Sequence, residues 1–237
     1  MKKPLAIDLF CGLGGWTDGL QSEGYRVIGF DIERHEYDGE RYPAQLVIQD
    51  VLTLHGSQFR DADLIVASPP CQEYSYMAMP WSRAKQIRAE YLDGTRDRAK
   101  LTALFDACFR IQREASEAAG RHIPMIVENV RGAQEWVGRS RWNFGSFHFW
   151  GDVPALMPIW HAVKVPGIDF NRRGGSFNTT AIAMGRKVGG DWFSDPNSPS
   201  RQSSSGSRAR KAGAARIAKI PFPVSQYLAR HFKPEIV

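Results

Sequence analysis

The sequence lacks any long apolar run, and no uninterrupted stretch approaches the roughly 18 residues of a membrane-spanning helix. Lys2, Lys3 and Asp8 interrupt the N-terminal segment too early for the apolar core of a signal peptide. We therefore expect a cytoplasmic protein without a membrane partner.

Cysteine is also scarce, because only Cys11, Cys71 and Cys108 occur among 237 residues. Three scattered cysteines are too few for a disulfide framework. The CxxC and HxxxH spacings of zinc sites do not occur. We therefore expect reduced thiols and no metal.

The composition is otherwise that of a folded protein, with 43% hydrophobic and 24% charged residues. The length favours one large domain, or one domain with a small appendage. The net charge of +6 is unevenly distributed, because residues 171–219 contain ten Lys and Arg against two Asp. That segment carries +8 and the remainder −2. A basic segment of this kind is typical of a polyanion binder, and a solvated flexible tail is the alternative.

Five short apolar runs predict the strands of a parallel sheet, at residues 5–10, 26–30, 46–50, 63–67 and 124–127. Near-continuous apolar runs separated by crossover-length stretches are typical of strands that are buried on both faces. Apolar residues at helical spacing predict a helix within 96–119 and a final helix over 223–232. Between 151 and 211 the sequence predicts a small irregular region. We therefore expect an α/β fold with helices on both faces of the sheet.

Polar and glycine residues follow the first three predicted strands. Gly12, Gly14 and Gly15 form a loop that could receive an anionic or nucleotide-like ligand on backbone N–H groups. Thr17 stands where the dinucleotide fingerprint GxGxxG needs its third glycine, which argues against a plain NAD site.

Two acidic residues continue this pattern at the next strand ends. Asp31 could accept hydrogen bonds from a ribose hydroxyl pair, and Asp50 with Val51 could bracket an adenine. Each acid alone is equally typical of a loop residue or helix cap. Together the three strand ends favour a cofactor that contains adenosine.

The stretch after the fourth strand, residues 68–75, predicts a chemical centre. Two prolines stiffen the backbone ahead of Cys71, so its thiol would face the cleft in a fixed position. A buried structural cysteine is the ordinary alternative. Glu128 at the next strand end makes a nucleophile paired with an acid the favoured interpretation.

Three motifs now carry a family resemblance: residues 8–15 (DLFCGLGG), 70–72 (PCQ) and 128–130 (ENV). In this order and spacing they resemble the DNA cytosine-5 methyltransferases, over about residues 5 to 150. The resemblance implies a Rossmann-like fold, with an S-adenosylmethionine-binding catalytic domain over 1–150 that is completed by 212–237. It also implies a small basic target-recognition region over 151–211.

The resemblance assigns roles to individual residues. It implies a cofactor site made of Asp8, Phe10, Gly12, Gly14, Gly15, Trp16, Asp31, Ile32, Asp50, Val51 and Pro70. Cys71 would add to cytosine C6 while Glu128 serves N3 and Asn129 orients Glu128. Arg139 and Arg141 resemble a later Gln-x-Arg-x-Arg motif, with Val137 in place of the glutamine and an exposed basic turn as the alternative.

The expected substrate is double-stranded DNA, bound by a monomer. Predicted nucleic-acid contacts are Gln72, Ser75, Arg172, Arg173, Arg186 and Lys187. The same thiol chemistry could instead act on RNA or a free cytosine nucleotide. A catalytically idle DNA-binding or cofactor-sensing protein is the third reading. The family's late Gly-Asn motif is absent ahead of residues 222–224, which predicts weakened cofactor affinity.

Overall fold

A computed structural model describes residues 3–72, 74, 81–159 and 208–234. The strands are β1 (Leu5–Leu9), β2 (Arg26–Asp31), β3 (Glu36–Tyr37), β4 (Glu40–Arg41), β5 (Gln45–Ile48), β6 (Leu64–Ala67), β7 (Met125–Val130), β8 (Trp142–Phe144) and β9 (Phe147–Gly151). The helices are α1 (Gly15–Ser22), α2 (Trp81–Leu92), α3 (Arg98–Ala119), α4 (Gln134–Val137), α5 (Arg208–Ala218) and α6 (Phe222–His231). In the described part of the chain, no helix is both long and apolar enough to cross a bilayer.

Seven strands form one sheet in the order β5-β2-β1-β6-β7-β9-β8. The first five run parallel to one another, and β9 runs antiparallel to both of its neighbours. β8 therefore runs with the five parallel strands, and β9 is the reversed strand of the described sheet. The predicted α/β, Rossmann-like class is confirmed, and all five predicted strands occur. Four of them end within two residues of the expected position, whereas β7 continues three residues beyond it, to Val130.

Chain order reverses between β1 and β6, because β2 and β5 lie on one side of β1 and β6 and β7 on the other. A crevice for ligands opens at such a switch point, outside the carboxyl ends of the strands. The glycine loop follows β1, and the Pro-Pro-Cys stretch follows β6. The backbone N–H of Ser68 donates to the carbonyl of Leu9 at 3.1 Å, so the two segments leave the sheet side by side.

Apolar layers cover both faces of the sheet. On one face α3 buries a stripe that includes Leu101, Phe105 and Ile111 against β1, β6 and β7. The side chain of Asp97 accepts a hydrogen bond from the N–H of Ala99 and caps the helix. Gly120 ends it in the left-handed conformation that favours glycine. The helix predicted within 96–119 is thereby confirmed.

The opposite face is covered by α1 and α6, which pack on each other. Val224 and Leu228 of α6 join Trp16 and Leu20 of α1 in one buried cluster. The predicted final helix is therefore confirmed, and it belongs to the same core as the N-terminal strands. The predicted domain boundary between residues 211 and 212 falls inside α5, which begins at Arg208.

Five parts of the architecture were not predicted: α2, α4, α5, the β3–β4 hairpin and the β8–β9 pair. The two hairpin strands are each two residues long, and β8 is three residues long. Strands this short have no readable periodicity in the sequence. Residues 160–207 hold most of the predicted target-recognition region, and they lie outside the described residues.

Candidate active site

The glycine loop turns sharply at the carboxyl end of β1. Phe10, Gly12 and Gly14 have φ of 58°, 50° and 80°, in the left-handed region that glycine favours. A Cβ on Gly14 would lie 2.5 Å from Cδ of Pro43, whereas a Cβ on Gly12 would meet nothing within 4 Å. Gly14 is therefore required by packing, and Gly12 borders the open crevice.

A buried polar chain lies under this loop. Thr17 donates to Oδ2 of Asp8 at 2.7 Å, and its hydroxyl lies 2.7 Å from that of Tyr42. Oδ1 of Asp8 has no hydrogen-bond partner among the described residues. Burial raises the pKa of Asp8 to about 8. The hydrogen bond from Thr17 lowers this pKa in part, and repulsion from Asp31 raises it further.

Asp31 ties β2 to the glycine loop. Its Oδ2 accepts from the N–H of Gly12 at 2.9 Å, and its Oδ1 accepts from the N–H of Ile32 at 2.8 Å. Burial alone would raise the pKa of Asp31, but hydrogen bonds from His35 and Gly12 outweigh it and lower the pKa. The group at the predicted ribose position is therefore a carboxylate at neutral pH.

The surface beside Asp31 fits a cofactor that carries adenosine. Ile32 is 70% exposed, although it directly follows a buried strand. An exposed apolar side chain next to a carboxylate and an open glycine matches the apolar base and polar ribose of adenosine. Asp50 lies at the neighbouring strand end, where its Oδ1 caps a 3-10 turn by accepting from the N–H of Leu52 at 2.9 Å.

Several predicted cofactor residues are buried next to the crevice. Asp8, Trp16 and Val51 are 0%, 3% and 2% exposed, so their side chains are buried, and their contact with a cofactor stays a prediction. Nε1 of Trp16 donates to Oγ of Ser68 at 3.0 Å and so joins α1 to the Pro-Pro-Cys segment. Gly15 is buried against the backbone of Lys219 and Ile220. By contrast, Phe10 is half-buried and Pro70 is exposed at the crevice.

Cys71 differs from the other two cysteines in its access to solvent. Cys11 and Cys108 are buried, and burial raises the pKa of both thiols far above the usual value. Cys71 is half-buried at the carboxyl end of β6. The N–H of Tyr74 donates to the carbonyl of Cys71 at 3.0 Å, which closes a turn around the thiol. Cys71 is thus the accessible thiol of the chain.

The next strand brings an acid and an amide to the same edge. β6 pairs with β7 in parallel, with Ala67 opposite Val127, so Glu128 is level with Ser68. Glu128 is 7% exposed. The amide of Asn129 donates to the carbonyl of Pro69 at 3.0 Å, and its Oδ1 accepts from the N–H of Val130. Through the first of these contacts Asn129 holds the Pro-Pro-Cys segment, and its expected orientation of Glu128 stays a prediction.

A cavity of about 120 Å³ lies beside the Pro-Pro-Cys segment. It is lined by Pro69, Pro70, Gln72 and Tyr74 and, from α3, by Lys100, Leu101, Leu104 and Phe105. The hydroxyl of Tyr74 donates to the carbonyl of Leu101 at 2.6 Å and anchors the segment to the helix. The contribution of α3 was not predicted, because nothing in its amphipathic pattern marks which turn reaches the site.

Arg139 and Arg141 lie on an exposed turn. Ser140 between them bonds to Gln134 and to Nδ1 of His148. The backbone N–H of Arg141 donates to the carbonyl of Phe149, which fixes the turn on β9. No hydrogen bond or ion pair links either guanidinium to the residues that the structure describes. The assignment of both arginines to catalysis stays a prediction.

The predicted nucleic-acid contacts are mostly beyond the described part of the chain. Gln72 is exposed next to Cys71 and lines the cavity. Ser75, Arg172, Arg173, Arg186 and Lys187 lie outside the described residues. Sequence reasoning missed Tyr42 and His35, which reach the site from the β3–β4 region. In the sequence, the one feature that could have pointed to these two residues was their position shortly after Asp31.

Three solved structures resemble this chain at low sequence identity and low TM-score. The Dnmt2 methyltransferase of S. pombe has a TM-score of 0.36 and 18% identity over 58% of this chain and 37% of its own. The EhMeth methyltransferase of Entamoeba histolytica has a TM-score of 0.39 and 18% identity, over 58% and 41% of the two chains. A prophage-encoded putative DNA modification methyltransferase of E. coli has a TM-score of 0.34 and 21% identity, over 57% and 35%.

Two curated relatives match the chain over a short segment. The Type II methyltransferase M1.HphI of Haemophilus parahaemolyticus is 34% identical over 79 residues, which are 29% of this chain and 21% of that protein. The Type II methyltransferase M.DdeI of Desulfomicrobium norvegicum is 32% identical over 78 residues, 29% and 19% of the two chains. The match thus spans about a fifth of each relative.

A family model covers more of the chain. The model described as C-5 cytosine-specific DNA methylase matches residues 5–133, from the first residue of β1 to the turn after β7. This match spans more than half of the chain and includes the glycine loop, the Pro-Pro-Cys segment and Glu128 with Asn129. The chain belongs to the C-5 cytosine-specific DNA methylase family.

Proposed function

We propose that this protein transfers a methyl group from S-adenosylmethionine to C5 of cytosine in DNA. The observation that carries the proposal is the position of Cys71, an accessible thiol that follows the carboxyl end of β6, three residues after Ser68, which is level with the buried acid Glu128 on β7. A module that only bound DNA or sensed a cofactor would have no need of this pair. Membership of the family supports cytosine as the base.

The chemistry follows from the weak nucleophilicity of cytosine C5. Attack of the Cys71 thiolate on C6 forms an S–C bond and moves an electron pair toward C5, while Glu128 gives a proton to N3. S-adenosylmethionine, when bound, supplies an electrophilic methyl group. The methylated C5 then loses its proton to a base, N3 returns its proton, and expulsion of the thiolate restores the C5–C6 double bond.

The target cytosine must leave the base stack for this reaction. A thiol cannot reach C6 inside a duplex, so the nucleotide rotates into the crevice at a cost of about a few kcal/mol. Asn129 contributes by holding the carbonyl of Pro69, two residues before the nucleophile. A buried amide in this role limits the motion of Cys71 and reduces the entropy lost on attack.

The substrate class is tested with labelled S-adenosylmethionine and three acceptors: duplex DNA, RNA and dCMP. We expect label to enter DNA, at the cytosine C5 position identified by nucleoside mass spectrometry. Transfer to RNA or dCMP, and not to DNA, would mean that the same reaction uses that acceptor as its substrate. Transfer to none of them, with the cofactor bound, would favour an idle binding protein.

The covalent step is tested with duplex DNA in which 5-fluorocytosine replaces every cytosine, so that no target sequence need be known. With S-adenosylmethionine present, the methylated C5 carries fluorine in place of a proton, and fluorine cannot leave as a cation, so the thiolate is not expelled and the adduct at C6 persists. We expect a denaturation-resistant complex whose peptide map shows the DNA on Cys71. Cys11 and Cys108 are internal controls, and an adduct on either of them would contradict the mechanism. Cys71→Ser should form no complex.

A further inference from the structure

His35 lies beside Asp31 at the edge of the proposed adenosine site. Nε2 of His35 is 3.5 Å from Oδ1 of Asp31, which is longer than a good N–H···O hydrogen bond. The side chains of His35 and Asp31 are 21% and 11% exposed, so a ligand in the crevice can reach both. An oxygen that lies to one side of this pair can be within hydrogen-bond distance of both atoms.

The orientation of the His35 ring is set by its neighbours. Nδ1 lies 3.4 Å from the hydroxyl of Tyr37 and 3.8 Å from a carboxylate oxygen of Glu33. Tyr37 is itself buried against Leu13 of the glycine loop and Ala212 of α5. With Nδ1 held on that side, Nε2 is the nitrogen that faces Asp31.

The pKa of His35 is shifted in the direction that favours an N–H at this nitrogen. The interaction with Asp31 raises the pKa of His35, burial opposes this rise, and the charge of Glu33 adds to it. Lys211 of α5 acts in the opposite direction. The protonated ring carries an N–H at both nitrogens, so Nε2 can donate to an oxygen in front of it.

We propose that His35 is a second ribose-binding residue of this enzyme, and that one ribose hydroxyl of S-adenosylmethionine bridges Asp31 and His35. The hydroxyl donates to Oδ1 of Asp31 and accepts from Nε2 of His35. An oxygen can sit at hydrogen-bond distance from two atoms that are 3.5 Å apart. Exposed Ile32 lies beside the bridge and offers an apolar face to the adenine. The inference rests on the proposed function, since it places that cofactor in this crevice.

The test compares S-adenosylhomocysteine with its 2′-deoxy and 3′-deoxy analogues by calorimetry, so that no methyl transfer is needed. We expect His35→Ala to weaken S-adenosylhomocysteine by about tenfold, the worth of one charge-assisted hydrogen bond. For the analogue that lacks the bridging hydroxyl, the wild type and His35→Ala should bind equally. His35→Gln, whose amide can donate, should recover part of the loss. His55→Ala removes an exposed histidine and is the matched control.

The outcomes separate this inference from the proposed function. An equal loss for all three ligands would make His35 a merely structural support of the loop and would overturn the proposal. Unchanged affinity in His35→Ala would overturn it too, while leaving the cofactor assignment intact. A wild-type protein that binds no S-adenosylhomocysteine would overturn both.

Discussion

The carboxyl group of Asp8 lies in the protein interior, where a negative charge is unfavourable because it loses contact with water. It is fully buried beneath the glycine loop, and Thr17 is its hydrogen-bond donor. Burial raises its pKa from 3.8 to about 8. Between these two values the folded protein holds a proton that the unfolded chain has released. Raising the pH through that window therefore favours the unfolded chain.

We expect Asp8→Asn to remove this pH dependence, because an amide of similar shape cannot ionise. In the wild type, the Asp8 carboxyl should lower the free energy of unfolding by up to about 1.4 kcal/mol for each unit that the pH rises between about pH 4 and pH 8. Urea denaturation at pH 5, 6, 7 and 8 measures the difference. Asp61→Asn, at an exposed carboxyl, is the control. Parallel pH profiles for wild type and Asp8→Asn would contradict the raised pKa.

At the scale of elements, the contact of α1 with α6 depends on the absence of side chains. A Cβ on Gly19 would lie 2.3 Å from Oγ of Ser225 and 2.4 Å from the backbone N of Gln226. A Cβ on Gly15 would lie 2.3 Å from the backbone N of Ile220. The C-terminal segment therefore lies directly on the backbone of α1, next to the glycine loop.

We expect Gly19→Ala to destabilise the fold by about 1–3 kcal/mol, because backbone atoms cannot yield to the added methyl group. Gly213→Ala in α5 is the matched control, since its Cβ would meet nothing within 4 Å. Helix propensity predicts that this control is neutral or more stable by about 0.5–1 kcal/mol. Urea denaturation measures both free energies. Equal effects would mean that α6 is not held against α1 in this way.

At the scale of the whole molecule, the positive charge is concentrated in a segment of the sequence that does not contain Cys71 or Glu128. Residues 171–219 carry +8, whereas the rest of the chain carries −2. In the described part of this segment, Arg216 is already paired with Asp38 and Glu40 of the β3–β4 hairpin. Lys219 is likewise paired with Asp18 of α1, so some basic residues of this segment stabilise the fold.

We expect Arg172, Arg173, Arg186 and Lys187 to contact phosphates. Replacing any one of them with Ala should weaken duplex binding across sequences and reduce the slope of log affinity against log salt by about one. Arg60→Ala is the control, because this exposed arginine precedes β6 at the opposite end of the strand from Cys71. Titrations of a labelled duplex at several salt concentrations measure the slope. An unaltered slope in all four variants would assign the phosphate contacts to other residues.

The sequence by itself determined the five parallel strands of the sheet and the order of the motifs, and it placed Cys71 and Glu128 after or near the ends of neighbouring strands. Parallel strands buried on both faces need continuous apolar runs, and their carboxyl ends share one edge, so local patterns sufficed to predict this much. The family resemblance carried by residues 8–15, 70–72 and 128–130 is likewise confirmed by the family match.

Only the tertiary structure decided which residues reach the crevice. The structure shows that Trp16 and Val51, which are predicted cofactor residues, have buried side chains, and that Asn129 donates to the carbonyl of Pro69. His35 faces Asp31 because Tyr37 packs on Leu13 and Ala212. That cluster joins the glycine loop to a helix about 200 residues later in the chain. Contacts between distant segments leave no local periodicity, so no pattern in the sequence could reveal them.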